Sequence, residues 1–133
     1  MEKTTKFFAS LGVIAGYGHD NTVEAVAEAP ELMAGKVWQE AAAAVMEATG
    51  TYVGAVITAA KTVYHINWGC PVGGEATVLI TGECNPEYTK IDDYKAAVVE
   101  VLKQTALSLG QSTTQLTFIE VEFEYLDFRP KSE

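Results

Sequence analysis

Residues 118–126 read Phe-Ile-Glu-Val-Glu-Phe-Glu-Tyr-Leu, an alternation of period two. In an extended strand, successive side chains point to opposite faces. Ile119, Val121, Phe123 and Tyr125 therefore share one face, and Glu120, Glu122 and Glu124 share the other. A helix would mix the two sets. The apolar side asks for cover, and the carboxylate side meets water, a partner subunit or a cationic ligand. At about 7 Å spacing the three carboxylates stand too far apart to chelate one metal ion. They read as protection of a strand against edge-to-edge association.

The rest of the chain supplies partners for that strand. Residues 6–17 are rich in aromatic and β-branched types, with Phe7, Leu11 and Val13 on one face and Phe8 and Ile14 on the other. A strand like that is covered on both sides. Lys3 and Lys6 before this run, with Ala25-Val26-Ala27 beyond it, also resemble a short secretory signal; the run is read here as a first strand. Asn21 with Glu24 forms a capping-box pattern that opens a short helical turn through about residue 29. Pro30 then suits the first position of a longer helix, closed by Gly50. Its stripe is Leu32, Met33, Val37, Trp38, Ala41, Ala42, Val45 and Met46.

Residues 51–68 read as a second strand, with a bend or bulge at Gly54 or Ala59-Ala60. Pro71-Val72-Gly73-Gly74 turns the chain into a third strand at 76–82. After Asn85-Pro86, Thr89 with Asp92 caps a second helix. Its stripe runs through Ile91, Tyr94, Ala97, Val98, Val101, Leu102 and Thr105, and Gly110 ends it.

This order predicts a single α+β domain over residues 1–133: a βαββαβ two-layer sandwich with two helices on one face of a four-stranded sheet. The other face is left without a helical cover yet carries apolar side chains. Such a face predicts self-association. The expected partner is a second or third copy of the chain, as a homo-oligomeric dimer or trimer, with a small organic ligand bound at the subunit boundary.

Composition narrows the partners further. Against 9 basic residues stand 18 acidic ones, a formal net charge of −9. That surface repels nucleic-acid phosphates and anionic lipid heads, so neither nucleic acid nor membrane is expected. No apolar run approaches the roughly 20 residues needed to span a bilayer. With Pro71 to Gly74 as a hairpin turn, Cys70 would oppose about Thr77 and Cys84 about Val63. The thiols would then not meet, so free thiols in a cytoplasmic setting are expected. No metal or cofactor is expected, because two cysteines at this spacing and two histidines make a poor zinc set.

Candidate site residues follow from chemistry. His65, late in the second strand, suits acid or base work near neutral pH, and otherwise serves as a hydrogen-bonded interface or surface histidine. His19, next to Asp20 in a glycine-flanked loop, is a ligand-binding candidate, although turn polarity also explains it. Tyr17, Tyr64, Trp68 and Tyr88 can line an apolar pocket with polar tips, or pack in core and interface. Cys70 reads as a passive thiol, since no Cys-His-Asp arrangement accompanies it.

From Ala48 onward the chain resembles the tautomerase superfamily, in particular its 5-carboxymethyl-2-hydroxymuconate isomerase branch. The likeness lies in Ala48-Thr49-Gly50 closing a helix, a Val63-Tyr64-His65-Ile66-Asn67 strand, the hairpin, the capped second helix and residues 116–128. The resemblance implies trimers of paired strand–helix–strand units and acid–base enolisation of a small oxo-acid. That family's N-terminal proline has no counterpart, position 2 being Glu2. Proton transfer is therefore assigned to His65, with Tyr64 or Tyr17 orienting, while His19, Trp68 and Tyr88 hold the ligand. A ferredoxin-like sandwich fits the element order equally well, and the competing expectation is a non-catalytic small-ligand-binding or structural oligomer of that fold.

Overall fold

A computed structural model describes residues 2–13 and 29–131. Its elements are β1 (Glu2–Gly12), α1 (Pro30–Thr49), β2 (Val56–Thr62), a short 3-10 turn (Ile66–Trp68), β3 (Glu75–Glu83), α2 (Ile91–Ser108) and β4 (Gln115–Phe123). The expected capping turn at Asn21 lies outside the described residues, as do Tyr17 and His19.

The sheet runs β2-β3-β1-β4, and every neighbouring pair is antiparallel. β1 and β2, joined through α1, are thus not neighbours, because β3 lies between them. This is the ferredoxin-like arrangement. Both helices lie on one face, as the element order predicts. Phe7, Ala9 and Leu11 from β1, with Val78 and Ile80 from β3, meet Ala34, Trp38, Ala42 and Val45 of α1 and Tyr94, Val98, Val101 and Leu102 of α2 in one core.

Local chemistry explains the helix ends. Pro30 opens α1, where a missing N–H costs nothing. Gly50 closes it at φ 82°, donating its N–H to the Met46 carbonyl at 2.7 Å. The α1 stripe holds at Trp38, Ala41, Ala42 and Val45, but Leu32 and Met46 remain exposed. α2 buries its stripe from Tyr94 to Thr105. Its expected Thr89 cap does not form: Lys90 stands at the cap position without a side-chain bond, and Asp92 and Asp93 face the positive helix end instead.

Strand boundaries depart from the sequence pattern at two places. β1 covers Glu2–Gly12, starting four residues before the expected Lys6, and residues 14–17 of the expected strand lie outside the described residues. β2 stops at Thr62, so Val63-Tyr64-His65-Ile66-Asn67 is not a strand. The ladder ends at the pair Thr62↔Glu75, and the Tyr64 N–H turns to the Cys70 Sγ at 3.4 Å. The hairpin register shifts accordingly. Thr77 pairs with Ala60, so Cys70 stands outside the ladder and Cys84 follows β3. Both thiols are free and buried.

The uncovered face carries exposed apolar side chains among polar ones such as Ser10, Thr58 and Thr117. Phe8 of β1, Leu79 of β3, Val56 of β2 and Ile119 of β4 lie exposed on it. β4 keeps its period of two, with Leu116 and Phe118 packed against the core. Ile119, Val121 and Phe123 turn to the open side, and Glu120 and Glu122 continue the helix-side row beyond the helices' cover. β4 is an edge strand, which suits the edge-protecting role of its carboxylates.

Candidate active site

The strand directions bring the end of β1, the end of β2 and the starts of β3 and β4 to one end of the sheet. There a cleft of about 410 Å³ opens, with Ser10, Gly12, Thr62, Glu75, Thr77 and Gln111 among its lining. Hydroxyls and amides dominate it, and Glu75 is the carboxylate. The Tyr64 hydroxyl donates to Glu75 Oε2 at 3.1 Å. Among the described residues no lysine or arginine pairs with Glu75.

The floor is tied together by hydrogen bonds. Thr62 and Thr77 Oγ1 atoms stand 2.6 Å apart, and Thr77 Oγ1 donates to the Glu75 carbonyl at 3.2 Å. Gly12 lets the Gln111 side chain approach closely here, since a Cβ on it would lie 3.0 Å from the Gln111 Oε1. The Gln111 amide thus rests on the backbone of β1.

A buried sulfur shapes the loop that carries Tyr64. Cys70 Sγ accepts from the Tyr64 N–H and lies 3.9 Å from the Thr62 carbonyl and 3.3 Å from the Pro71 carbonyl. One thiol thus links the end of β2, the tyrosine and the turn into β3. The next residue, His65, caps the 3-10 turn. Its Nδ1 accepts the Asn67 N–H at 3.0 Å, and its ring lies 5.5 Å from that of Trp68. With Nδ1 occupied, His65 has only Nε2 to offer. His65 and Trp68 both face solvent, Trp68 at 73% exposure.

A second cleft, of about 590 Å³, opens at the opposite end of the sheet, where α1 and α2 contribute to its walls. Met46, Tyr52, Glu83, Asn85, Tyr88 and Tyr94 are among its walls. The sequence candidates are therefore divided. Tyr64 joins Glu75 at one end, His65 and Trp68 flank it on the loop, and Tyr88 belongs to the other end. Burial pushes the Tyr94 phenol well above its ordinary value, with the Cys84 thiol and Glu83 adding to the shift. Cys84 is also pushed up by burial, against a lowering hydrogen bond from Thr4.

Glu75, Thr62, Thr77 and Gln111 were not singled out from sequence. A glutamate directly after Gly73-Gly74 reads as hairpin polarity. The available signal was the alternation Glu75, Thr77, Leu79, which puts Glu75 on the uncovered face. No group of three or more His, Cys, Asp or Glu among the described residues is arranged to hold a metal ion. No helix among them is long and apolar enough to cross a membrane.

An antiparallel α+β sandwich with a polar, carboxylate-bearing cleft at one sheet end is the class that these observations define. Residues 2–127 match the family model of the SAM lyases, and the chain belongs to that family. Among solved structures, a phage SAM lyase in complex with S-methyl-5′-thioadenosine is similar in fold, at TM-score 0.50 and 13% identity over 93% of each chain. No curated protein sequence matches the chain. These findings correct the tautomerase resemblance. That likeness relied on a Val63–Asn67 strand that does not form and on paired strand–helix–strand units, whereas here β3 separates β1 from β2.

Proposed function

We propose that this protein cleaves S-adenosylmethionine and releases S-methyl-5′-thioadenosine, with the Glu75 cleft as its reaction site. The observation that carries the reading is the Glu75 carboxylate, oriented by Tyr64 in a polar cleft, in a member of the SAM lyase family. The substrate is a sulfonium bearing an ammonium group, and a protein of net charge −9 attracts such a cation. The cytoplasm is the compartment in which the two free thiols persist.

The named product fixes the bond that breaks. S-methyl-5′-thioadenosine keeps the sulfur, its methyl group and the adenosyl group, so cleavage falls between sulfur and Cγ of the amino-acid chain. Attack on Cγ by that chain's own carboxylate oxygen closes a lactone. The S–Cγ electron pair returns to sulfur and the neutral thioether leaves, so no water, proton or electron acceptor is consumed. The protein's task is then to fold the flexible chain so that oxygen, carbon and sulfur align. Glu75 holds the substrate ammonium, Tyr64 fixes the carboxylate's rotamer, and the Thr62 and Thr77 hydroxyls with the Gln111 amide line the remaining polar wall.

Incubation with S-adenosylmethionine, with products followed by chromatography and proton NMR, tests the reading. Glu75→Gln should lower turnover by about a hundredfold or more, in the range of lost electrostatic contacts, and Tyr64→Phe by about tenfold. Absence of thioadenosine from the wild type, or full turnover in Glu75→Gln, would overturn it.

The exposed apolar side chains of the open face support a second element of this reading. Phe8, Leu79, Val56 and Ile119 suit packing on another copy, as a dimer or trimer, with the Glu75 cleft at the boundary. Light scattering should then report an oligomer at micromolar concentration that Leu79→Arg disperses. A wild-type monomer would remove this element.

A further inference from the structure

The cleft at the Glu83 end has a feature that the reaction does not use. Tyr94 is only 4% exposed, and its hydroxyl has no hydrogen-bond partner. A buried, unmade hydroxyl bond costs about 1–3 kcal/mol. Bare glycine backbone packs against it: a Cβ on Gly82 would lie 3.2 Å from the Tyr94 hydroxyl and 2.8 Å from the Gly54 carbonyl, too close to fit, and both glycines line the cleft. The phenol oxygen thus stands at the back wall, behind the two residues that present no side chain.

The rest of the lining has a defined chemistry. Tyr52 and Tyr88 offer exposed ring faces, and Met46 and Val56 add apolar surface. The Asn85 Oδ1 accepts the Glu87 N–H at 3.0 Å, which leaves the amide nitrogen to donate outward. Glu83 meets Lys6 at 3.4 Å but keeps a second oxygen and a side chain 40% exposed. Among the described residues, no lysine or arginine lines the cleft. Lys6 is engaged by Glu83, and Arg129 by Asp127.

From this we propose a second ligand site, lined by Tyr52, Tyr88, Tyr94, Glu83 and Asn85, that binds an uncharged purine nucleoside. Tyrosine rings stack on a flat base. The Tyr94 hydroxyl supplies the donor that a ring nitrogen accepts, and the free oxygen of Glu83 accepts from the ribose hydroxyls. A nucleotide is disfavoured, because its phosphate would meet the Glu83 carboxylate and compete with it for Lys6.

Equilibrium dialysis with adenosine tests this in the Glu75→Gln protein, where the carboxylate of the other cleft is gone. Adenosine should still bind. Adding Tyr94→Phe should weaken binding about fivefold or more, and Tyr88→Ala about tenfold, while AMP binds at least tenfold more weakly than adenosine. Tyr94→Phe should keep or raise the unfolding midpoint, so weakened binding in that variant reports a lost contact rather than a lost fold. Three results would overturn the proposal: no adenosine binding at millimolar concentration, binding abolished by Glu75→Gln alone, or binding indifferent to both tyrosine changes. Failure of the lyase reading is separate, since it is scored by thioadenosine release alone.

Discussion

At the Glu75 end of the sheet the chain is held by directed polar contacts, whereas at the Glu83 end it is held by stacked and tilted rings. Around Glu75, one sulfur, two threonines and a phenol each make contacts at stated distances, and they run from buried Cys70 and Thr77 through half-buried Tyr64 to exposed Thr62. Around Gly82, Phe7 stacks on Trp38 at 5.9 Å and tilts against Tyr94 at 6.3 Å, all buried. A net hydrogen bond contributes about 0.5–1.5 kcal/mol, while truncating a buried aromatic costs about 3–5 kcal/mol. Changes at the ring end should therefore register first in stability, and changes at the polar end first in chemistry.

Trp38→Ala is the severest test of that division. Its ring fills the space between α1 and Phe7, and its Nε1 donates to the Val53 carbonyl at 3.0 Å. Loss of both should lower unfolding free energy by about 3–5 kcal/mol in urea titration. A loss under about 1 kcal/mol would mean that the rings are not what holds this end. Trp38→Phe restores most of the packing but leaves the Val53 carbonyl unpaired, and should cost about 1–3 kcal/mol.

Cys70→Ala probes the polar end. The sulfur accepts from the Tyr64 N–H and lies against two carbonyls, so its removal frees the loop that aims Tyr64 at Glu75. Expected is a loss of about 1–2 kcal/mol, with a severalfold fall in kcat and a smaller change in KM. Cys70→Ser, which keeps a small polar acceptor, should recover part of the kcat. An unchanged kcat in Cys70→Ala would remove the sulfur from the positioning of Tyr64.

Alkaline stability distinguishes the two ends by a third route. Cys84 and Tyr94 are both shifted upward by burial, from ordinary values of 9.0 and 10.0. Above those values the unfolded chain releases protons that the folded chain retains. The folded state then binds more protons, so stability falls as pH rises. The urea midpoint should hold below about pH 9 and drop above it, and Tyr94→Phe should remove the part of the drop that begins near pH 10. A midpoint flat to pH 11 would contradict the burial of these groups.

The same contrast explains what the sequence discloses. Helix α2 is legible because its stripe is buried from Tyr94 to Thr105, and the element order is legible because Pro30, Gly50 and Gly110 punctuate it. The uncovered face follows from that order. The loop after β2 is misread, because Val63, Ile66 and Trp68 have strand-like chemistry yet stand exposed. What ends the strand is a contact with Cys70, six residues on from Tyr64, and no local pattern announces it. Glu75 is hidden for a related reason: its significance depends on Tyr64, eleven residues earlier, and on loop 110–115 from the far end of the chain. The resemblance drawn from the same stretch fails there too, since sheet order is set by long-range pairing that element order leaves open.

The smallest effect belongs to the edge strand. Lys3 Nζ meets Glu120 Oε1 at 3.1 Å, but each side chain is 69% exposed. Water screens such a pair, and ordering two long side chains opposes the gain, so Lys3→Ala should change unfolding free energy by no more than about 0.5 kcal/mol. The carboxylates matter differently, because Glu120 and Glu122 extend along the helix side of β4 past the core, on a strand with one unpaired edge. Replacing both with threonine should leave the urea midpoint within about 1 kcal/mol and raise concentration-dependent scattering. If the midpoint falls by more than about 2 kcal/mol while scattering stays flat, the glutamates hold the strand in place rather than keep other strands away.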